Sequence, residues 1–193
     1  MSPLVNPDDN AYLQAITYAF GNEGARPPYL TLRDRGYVNN PRDPGGETAF
    51  GICKRDHPTV DIKNLTFEQA DVIAREQYWC GYGQIQYPLP RIKLLDWALN
   101  MEGTGRAGEA VLLMQRSINT FWPNVLPMDK KFGPNTILMM NRCDPLELVY
   151  ECIRQAIIFR HAVVANKPQC EEFLAGWIAR DNKLPVINQA VNP

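Results

Sequence analysis

Prolines and glycines interrupt the chain between residues 25 and 47, and this interruption limits the folds open to it. The stretch reads ARPPYLTLRDRGYVNNPRDPGGE. Proline removes a backbone donor and fixes φ, and Asn-Pro and Gly-Gly pairs are typical of turns. The sequence therefore predicts a long loop here. A short strand is expected directly after it, over TAFGI at 48–52, and strand signals are confined to this region.

Helical periodicity dominates the rest of the chain. Before the loop, apolar residues at helical spacing predict a first helix, which Asp8, Asp9 or Asn10 could cap. After the loop, the capping-box pair Thr66 and Gln69 predicts the start of a second helix. Similar patterns predict helices over 90–101, 106–121, 134–142, 145–165 and 170–180. The predicted fold class is mainly α, with a small irregular β element after the first helix.

The composition is that of an ordinary globular protein and argues against several classes of function. The chain has 193 residues and a net charge of −1, so no nucleic-acid partner is expected. It has no run of 18 apolar residues and no signal-peptide pattern, so neither a membrane span nor a classical leader is expected. The five cysteines include no C-x-x-C pair. The sequence therefore predicts no metal site and no cofactor.

The apolar stripe of the first helix leads to Glu23, where glycines at 21 and 24 favour a helix end. A carboxylate in such a place is partly desolvated, which raises its pKa toward neutrality, as a general acid requires. Hydrolysis of a glycosidic bond usually needs two carboxylates. The loop offers Asp34, Asp43 and Glu47 as partners. Spacing alone does not select a pair, because carboxylates are also common in solvated loops.

Two segments resemble a known family. They are YLQAITYAFGNEG at 12–24 and GYVNNPRDPGGETAFGI at 36–52. Together they resemble the signature of glycoside hydrolase family 108, lysozyme-like N-acetylmuramidases that occur as bacteriophage endolysins and bacterial secretion activators. In that family a helix ends in Glu-Gly-Gly-Tyr, and a loop reads Asp-Pro-Gly-Gly-x-Thr-x-x-Gly-Ile, which residues 43–52 match. The resemblance implies a lysozyme-like fold.

The resemblance continues in consistent order over most of residues 12–184. REQYW resembles the family's Tyr-Trp helix end, and LDWALNMEGTGRA resembles its Asp-x-x-x-Asn segment. MDKKFGPNT resembles its Gly-Pro-x-Thr turn, and FLAGWIARDNKL resembles its terminal Gly-Trp-x-x-Arg. Residues 1–125 would form the lysozyme-like catalytic region. Residues 126–193 would form a C-terminal helical region that resembles the family's peptidoglycan-binding part and packs with the first as one globular unit.

The chain departs from the family within Glu-Gly-Gly-Tyr, because Asp34-Arg35 precede Gly36-Tyr37 here. Without a gap in the alignment, Asp34 takes the catalytic position. With an insertion of about ten residues, Glu23 keeps it and ARPPYLTLRDR is extra loop. The second alignment is favoured, because the first would place two consecutive prolines inside the helix.

The resemblance implies roles for three polar side chains. Glu23 would be the general acid that protonates the bridging glycosidic oxygen. Asp43 could position or activate water, or form an Asx turn before Pro44. Thr48 could hold that water or orient Asp43, or be an ordinary strand residue.

Four further residues are candidates for contact with the substrate. Tyr37, Tyr78 and Trp79 could offer apolar faces to sugar rings, and Asn100 could hydrogen-bond an N-acetyl group. Aromatic residues next to helices more often belong to the core, and packing is favoured for Trp79. Asn100 could equally cap a helix end.

The function that the resemblance implies is hydrolysis of β-1,4 bonds between N-acetylmuramic acid and N-acetylglucosamine by a peptidoglycan hydrolase, in the setting of a phage endolysin. The expected partner is the peptidoglycan glycan strand, and a monomer is expected. The protein would be made in the cytoplasm and act on the cell wall after release or export. The short Asp-to-Thr loop resembles that of inverting phage-type lysozymes, which favours inversion.

Three other functions stay open at this stage. The interrupted Glu-Gly-Gly-Tyr motif could mark a non-catalytic cell-wall-binding protein. A secretion activator or virion component could use the same fold to bind a protein partner. A chitinase-like enzyme would share the acid/base chemistry and differ in its glycan.

Overall fold

The computed structural model describes residues 7–41, 45–101 and 108–186. Within these ranges the chain forms seven α-helices: α1 Pro7–Asn22, α2 Phe67–Gln77, α3 Pro88–Met101, α4 Gly108–Phe121, α5 Pro134–Arg142, α6 Pro145–Asn166 and α7 Glu171–Asn182. Two short strands, β1 (Thr48–Ala49) and β2 (Ile52–Cys53), make the one sheet found in these ranges. Single turns of 3₁₀-helix stand at Tyr82–Gln84 and Pro168–Cys170.

This architecture confirms the predicted fold class, mainly helical with a small β element after the first helix. The predicted capping box is also present. The Thr66 hydroxyl oxygen accepts a bond of 3.3 Å from the Gln69 N–H, and the Gln69 side-chain oxygen accepts one of 3.0 Å from the Thr66 N–H. Each group satisfies a backbone donor that a helix start leaves open. The predicted start of the fourth helix, at 106, lies outside the described residues.

The segment TAFGI is a hairpin, so the expectation of one strand over 48–52 was wrong. β1 and β2 pair antiparallel, with Ala49 opposite Ile52. Phe50 and Gly51 join them with φ angles of 54° and 80°. Two consecutive residues in the left-handed region form the tight turn that matches the twist of paired strands. The apolar alternation of this segment does not reveal that reversal.

Helix α3 lies at the centre of the core. Its residues from Ile92 to Leu99 are all buried, and it contacts α1, α4 and α6. A helix that is buried all round belongs in a protein interior. Lys93 and Asp96 are its charged exceptions, and neither has any exposed surface.

The Lys93 ammonium fastens the end of α7 to α3. Its Nζ donates to the carbonyl oxygens of Lys183, Asp181 and Arg180 at 3.1, 3.3 and 3.4 Å. A positive charge stabilises a helix C-terminus, where carbonyl groups lack helical partners. The Tyr18 hydroxyl donates to the same Lys183 carbonyl at 2.6 Å. The C-terminal helical region therefore reaches the end of α1.

Two negative findings apply to residues 7–41, 45–101 and 108–186. No helix in these ranges is long and apolar enough to cross a membrane. The same residues bring no group of three His, Cys, Asp or Glu side chains together in an arrangement that could hold a metal ion.

We predict that Asp181→Ala lowers the free energy of unfolding by about 3–5 kcal/mol, because it leaves the Arg160 guanidinium buried without its anion. Asp181 is fully buried and accepts bonds from Arg160 Nε at 3.1 Å and from Trp97 Nε1 at 3.0 Å. Urea unfolding measures the change. Asn182→Ala, at the exposed neighbouring position, is the control. A loss below about 1 kcal/mol for Asp181→Ala would show that this ion pair does not hold α7 in place.

Candidate active site

Glu23 is the C-cap residue of α1, and a regular helix ending holds it there. The Ala25 N–H donates to the Phe20 carbonyl at 3.0 Å, and the Gly24 N–H donates to the Gly21 carbonyl at 3.1 Å. Gly24 has a φ of 80°. This pair of bonds around a left-handed glycine is the Schellman ending, which satisfies the last carbonyls of the helix. The backbone of Glu23 is therefore fixed before any tertiary contact is counted.

The long loop after Glu23 leaves and returns at nearly the same place. Ala25 pairs with Arg35 in an isolated antiparallel bridge. Gly36 then lies against Glu23, where a Cβ atom would stand 2.1 Å from the Glu23 carbonyl oxygen. Only glycine fits at that distance. The fold thus brings Gly36 and Tyr37 next to Glu23 and Gly24, although eleven residues separate Gly24 from Gly36 in sequence.

Asp34, the alternative candidate for the acid, lies inside this loop and closes a turn. Its carboxylate accepts a bond of 3.1 Å from the Thr31 N–H, and its own N–H donates to the Thr31 hydroxyl at 3.1 Å. These two hydrogen bonds stabilise the turn between Thr31 and Asp34, which is a common structural role for an aspartate in a loop. Asp34 thus has a structural role in the loop, and the choice of Glu23 over Asp34 as the acid stays a prediction.

The hairpin turn packs directly on the Glu23 side chain. A Cβ atom on Gly51 would lie 2.6 Å from Glu23 Cγ, 2.8 Å from Cδ and 3.0 Å from Oε1. Because Gly51 also has a φ of 80°, both backbone conformation and space require glycine here. The absence of a side chain at 51 leaves room for the carboxylate.

The opposite side of the Glu23 carboxylate meets Arg180 from α7. Arg180 Nη1 donates to Glu23 Oε1 in an ion pair. The same guanidinium donates to Asp96 Oδ1 from Nη2 at 2.8 Å and from Nε at 3.3 Å. The Glu23 side chain keeps 16% of its surface exposed, which leaves it within reach of a substrate.

Burial raises the pKa of Glu23 above its ordinary value, which favours the protonated form. Arg180 opposes this effect, because a cation stabilises the carboxylate. The nearby Asp96 raises the pKa again, and Arg160 acts to lower it. The net direction is upward. A carboxyl group with a raised pKa can hold a proton at higher pH than a free glutamate and donate it.

Asn100 contacts a charge cluster, defined here as Lys93, Asp96, Arg160, Arg180 and Asp181. Its Oδ1 accepts a hydrogen bond from Arg160 Nη2, and Arg160 in turn binds Asp181. The side-chain oxygen expected to meet an N-acetyl group is therefore engaged inside the protein, and the amide nitrogen is the part of Asn100 that could still donate.

The structure does not support sugar stacking on Tyr78 or Trp79. Only 3% of Tyr78 and 4% of Trp79 is exposed. The Tyr78 hydroxyl lies 3.1 Å from His57 Nε2, and the Trp79 ring packs edge-on against Tyr12. We correct the expectation of sugar contact for Tyr78, while the burial of Trp79 agrees with the packing role that the sequence favoured for it.

Two other predicted site residues, Tyr37 and Thr48, lie in or beside the hairpin region. Tyr37 is half-buried, and burial together with the nearby Glu47 carboxylate raises the pKa of its hydroxyl. Thr48 is half-buried at the start of β1, and its N–H and carbonyl both bond to Val38, at 2.8 and 2.9 Å. Asp43 lies outside the described residues. Roles for Tyr37, Asp43 and Thr48 stay predictions.

Sequence reasoning assigned no role to three residues that shape this site, Arg180, Asp96 and Gly51. Asp96 and Lys93 stand three positions apart within the apolar run from Ile92 to Leu99, which is a signal for a buried ion pair. Arg180 and Gly51 fall within family-like motifs, but nothing local in the sequence shows that both meet Glu23.

Comparison with known proteins gives a family match and a similar fold. Residues 18–102 match the family model described as Glycosyl hydrolase 108. The chain is similar to the solved structure of Brucella abortus SagA, with 22% identity, a TM-score of 0.66, and coverage of 89% of this chain and 90% of that one. No curated protein matches the chain.

We predict that Gly51→Ala lowers the free energy of unfolding by about 1–2 kcal/mol for the left-handed backbone alone, and by more because its Cβ meets Glu23. Gly46→Ala is a matched control. Gly46 has a φ of 73°, but its Cβ would be 3.6 Å from Lys54 Cβ, an ordinary contact. Urea unfolding of both variants measures the difference.

The source of the extra loss at position 51 is tested in a Glu23→Ala background, which lacks Cγ and Cδ. There Gly51→Ala should cost no more than Gly46→Ala. An unchanged penalty would mean that Gly51 is not packed on the Glu23 side chain.

Proposed function

We propose, from the match of residues 18–102 to the family model described as Glycosyl hydrolase 108, that this protein is a peptidoglycan hydrolase. Its activity would be that of an N-acetylmuramidase, cleaving β-1,4 bonds between N-acetylmuramic acid and N-acetylglucosamine by acid/base catalysis. The observation that carries this proposal is the Glu23 carboxyl group, pinned at the end of α1 within the matched region and with a raised pKa.

Glu23 is proposed as the general acid. Departure of a sugar hydroxyl is difficult unless the bridging oxygen is protonated as the bond breaks. A mostly buried carboxyl group, held between Gly51 and Arg180, is positioned for one donor geometry and retains a proton better than a solvated glutamate. The 16% of its side chain that remains exposed is the surface through which the oxygen would approach.

Asp43 and Thr48 are proposed to bind and orient the water molecule that attacks the sugar. The support is the match of residues 43–52 to the family loop Asp-Pro-Gly-Gly-x-Thr-x-x-Gly-Ile. Asp43 would position or activate water, and Thr48 would hold that water or orient Asp43. Inversion at the anomeric carbon is the proposed outcome, since the water would attack opposite the leaving group.

The proposed setting is a phage endolysin whose partner is the peptidoglycan glycan strand and which acts on the cell wall after release or export. Tyr37 is proposed as a contact for a sugar ring, and the Asn100 amide as a donor. The family's peptidoglycan-binding part corresponds to the C-terminal helical region.

A second candidate function is non-catalytic binding to the cell wall. The Arg180–Glu23 ion pair is the observation that favours it, because a cation stabilises the carboxylate form and so opposes protonation of Glu23. Binding to peptidoglycan without release of new reducing ends would distinguish this protein from a muramidase.

We predict that Glu23→Gln reduces the release of reducing ends from purified peptidoglycan on the order of 100-fold or more. Glutamine keeps the shape of glutamate but has no acidic proton to donate. Asp34→Asn, in the adjoining loop, is the matched control and should retain activity. If Asp34→Asn were inactive and Glu23→Gln active, the general acid would be Asp34 and not Glu23. No release by the unmodified protein would favour the binding function.

A further inference from the structure

One cation serves two carboxylates at the candidate site. The Arg180 guanidinium binds Glu23 through Nη1, and binds Asp96 Oδ1 through Nη2 at 2.8 Å and Nε at 3.3 Å. Only 12% of the Arg180 side chain is exposed, and none of Asp96. In such surroundings the interaction between charges is much stronger than in water. The charge of Asp96 therefore affects the strength of the interaction between Arg180 and Glu23.

The Asp96 carboxylate is itself held rigidly. Asn22 Nδ2 donates to its Oδ1 at 3.1 Å, and Lys93 Nζ donates to its Oδ2 at 3.3 Å. Lys93 is fixed in turn by the carbonyls at the end of α7. Asp96 thus offers Arg180 a fixed acceptor on a buried helix, and the planar guanidinium has little freedom to turn away from it.

We propose that Asp96 is a positioning residue for the candidate general acid. It binds one edge of the Arg180 guanidinium while Glu23 binds the other, and so orients that cation and limits how much of its charge Glu23 receives. This inference rests on the proposed function, because it assigns Glu23 a proton to donate.

The charged groups that act on Glu23 come from three helices. Arg180 approaches from α7, Asp96 from α3 and Arg160 from α6. With Asp96 ionised, part of the Arg180 charge is balanced, and Glu23 can keep its proton. Without the charge of Asp96, the whole guanidinium charge acts on Glu23, and the pKa of Glu23 falls. Without Arg180, the pKa of Glu23 rises, because burial and Asp96 then act with less opposition.

We predict opposite changes for two substitutions. Asp96→Asn should lower the pKa of Glu23 by about one pH unit, and Arg180→Met should raise it by a similar amount. The measurement is a titration of the Glu23 side-chain carbon by NMR in the full chain, assigned with Glu23→Gln. A residue with a structural role alone would change stability without moving the pKa in these two directions.

Asp181→Asn is the matched control, since Asp181 is equally buried but binds Arg160 and Trp97 instead of Arg180. It should shift the Glu23 pKa less than half as far as Asp96→Asn. If Asp96→Asn does not fold, Lys93→Met/Asp96→Asn removes both charges of a buried pair and leaves no uncompensated ion. The same fall in the Glu23 pKa is expected there.

In hydrolysis assays, the high-pH limb of kcat/KM should move down in Asp96→Asn and up in Arg180→Met, because the acid must be protonated in the free enzyme. An unchanged or raised Glu23 pKa in Asp96→Asn, or an equal shift in Asp181→Asn, would overturn the inference. If the unmodified protein hydrolyses nothing, the proposed function fails, while the NMR titration still decides whether Asp96 controls Arg180.

Discussion

The Arg180 guanidinium is the point at which three parts of the chain depend on one another. It comes from α7, binds the residue that ends α1, and binds a carboxylate on the central helix α3. Burying a charge is costly unless it is paired and hydrogen-bonded. Here positive and negative groups alternate through the charge cluster, so each buried ion has a partner of opposite sign. The C-terminal helix is therefore part of the candidate site.

The pairing also explains how one carboxyl group can be both mostly buried and able to titrate. Burial alone would raise the pKa of Glu23, and Arg180 alone would lower it. The balance between them depends on how far Asp96 neutralises the cation. Glycine at 51 lets the hairpin approach the carboxylate closely and restricts its side chain on the other side. Charge and packing together determine the position and the proton affinity of this group.

The long loop after Glu23 leaves this arrangement intact because both its ends are bound near the helix terminus. The chain leaves at Ala25 and returns at Arg35, and the two pair in an antiparallel bridge. Lengthening a surface loop adds little entropy cost once its ends are held together. Gly36 is the constraint on this closure, since a side chain there would strike the Glu23 carbonyl. Gly36 therefore lies beside Glu23 in space, although the two are far apart in the sequence.

Local patterns in the sequence determined the helices, the Thr66 cap and the end of α1 at Glu23, because apolar periodicity and capping act between neighbours in the chain. These patterns did not predict features that depend on contacts between residues far apart in the sequence. The hairpin reversal at Phe50 and Gly51 depends on backbone dihedrals that alternation does not encode. Tyr78 was a candidate for contact with sugars, but the surrounding elements bury it. Arg180 lies 157 positions from Glu23 in the sequence, and it pairs with both Glu23 and Asp96. Only the tertiary structure decided this arrangement, because the pairing of buried ions over such a distance follows from how the helices pack.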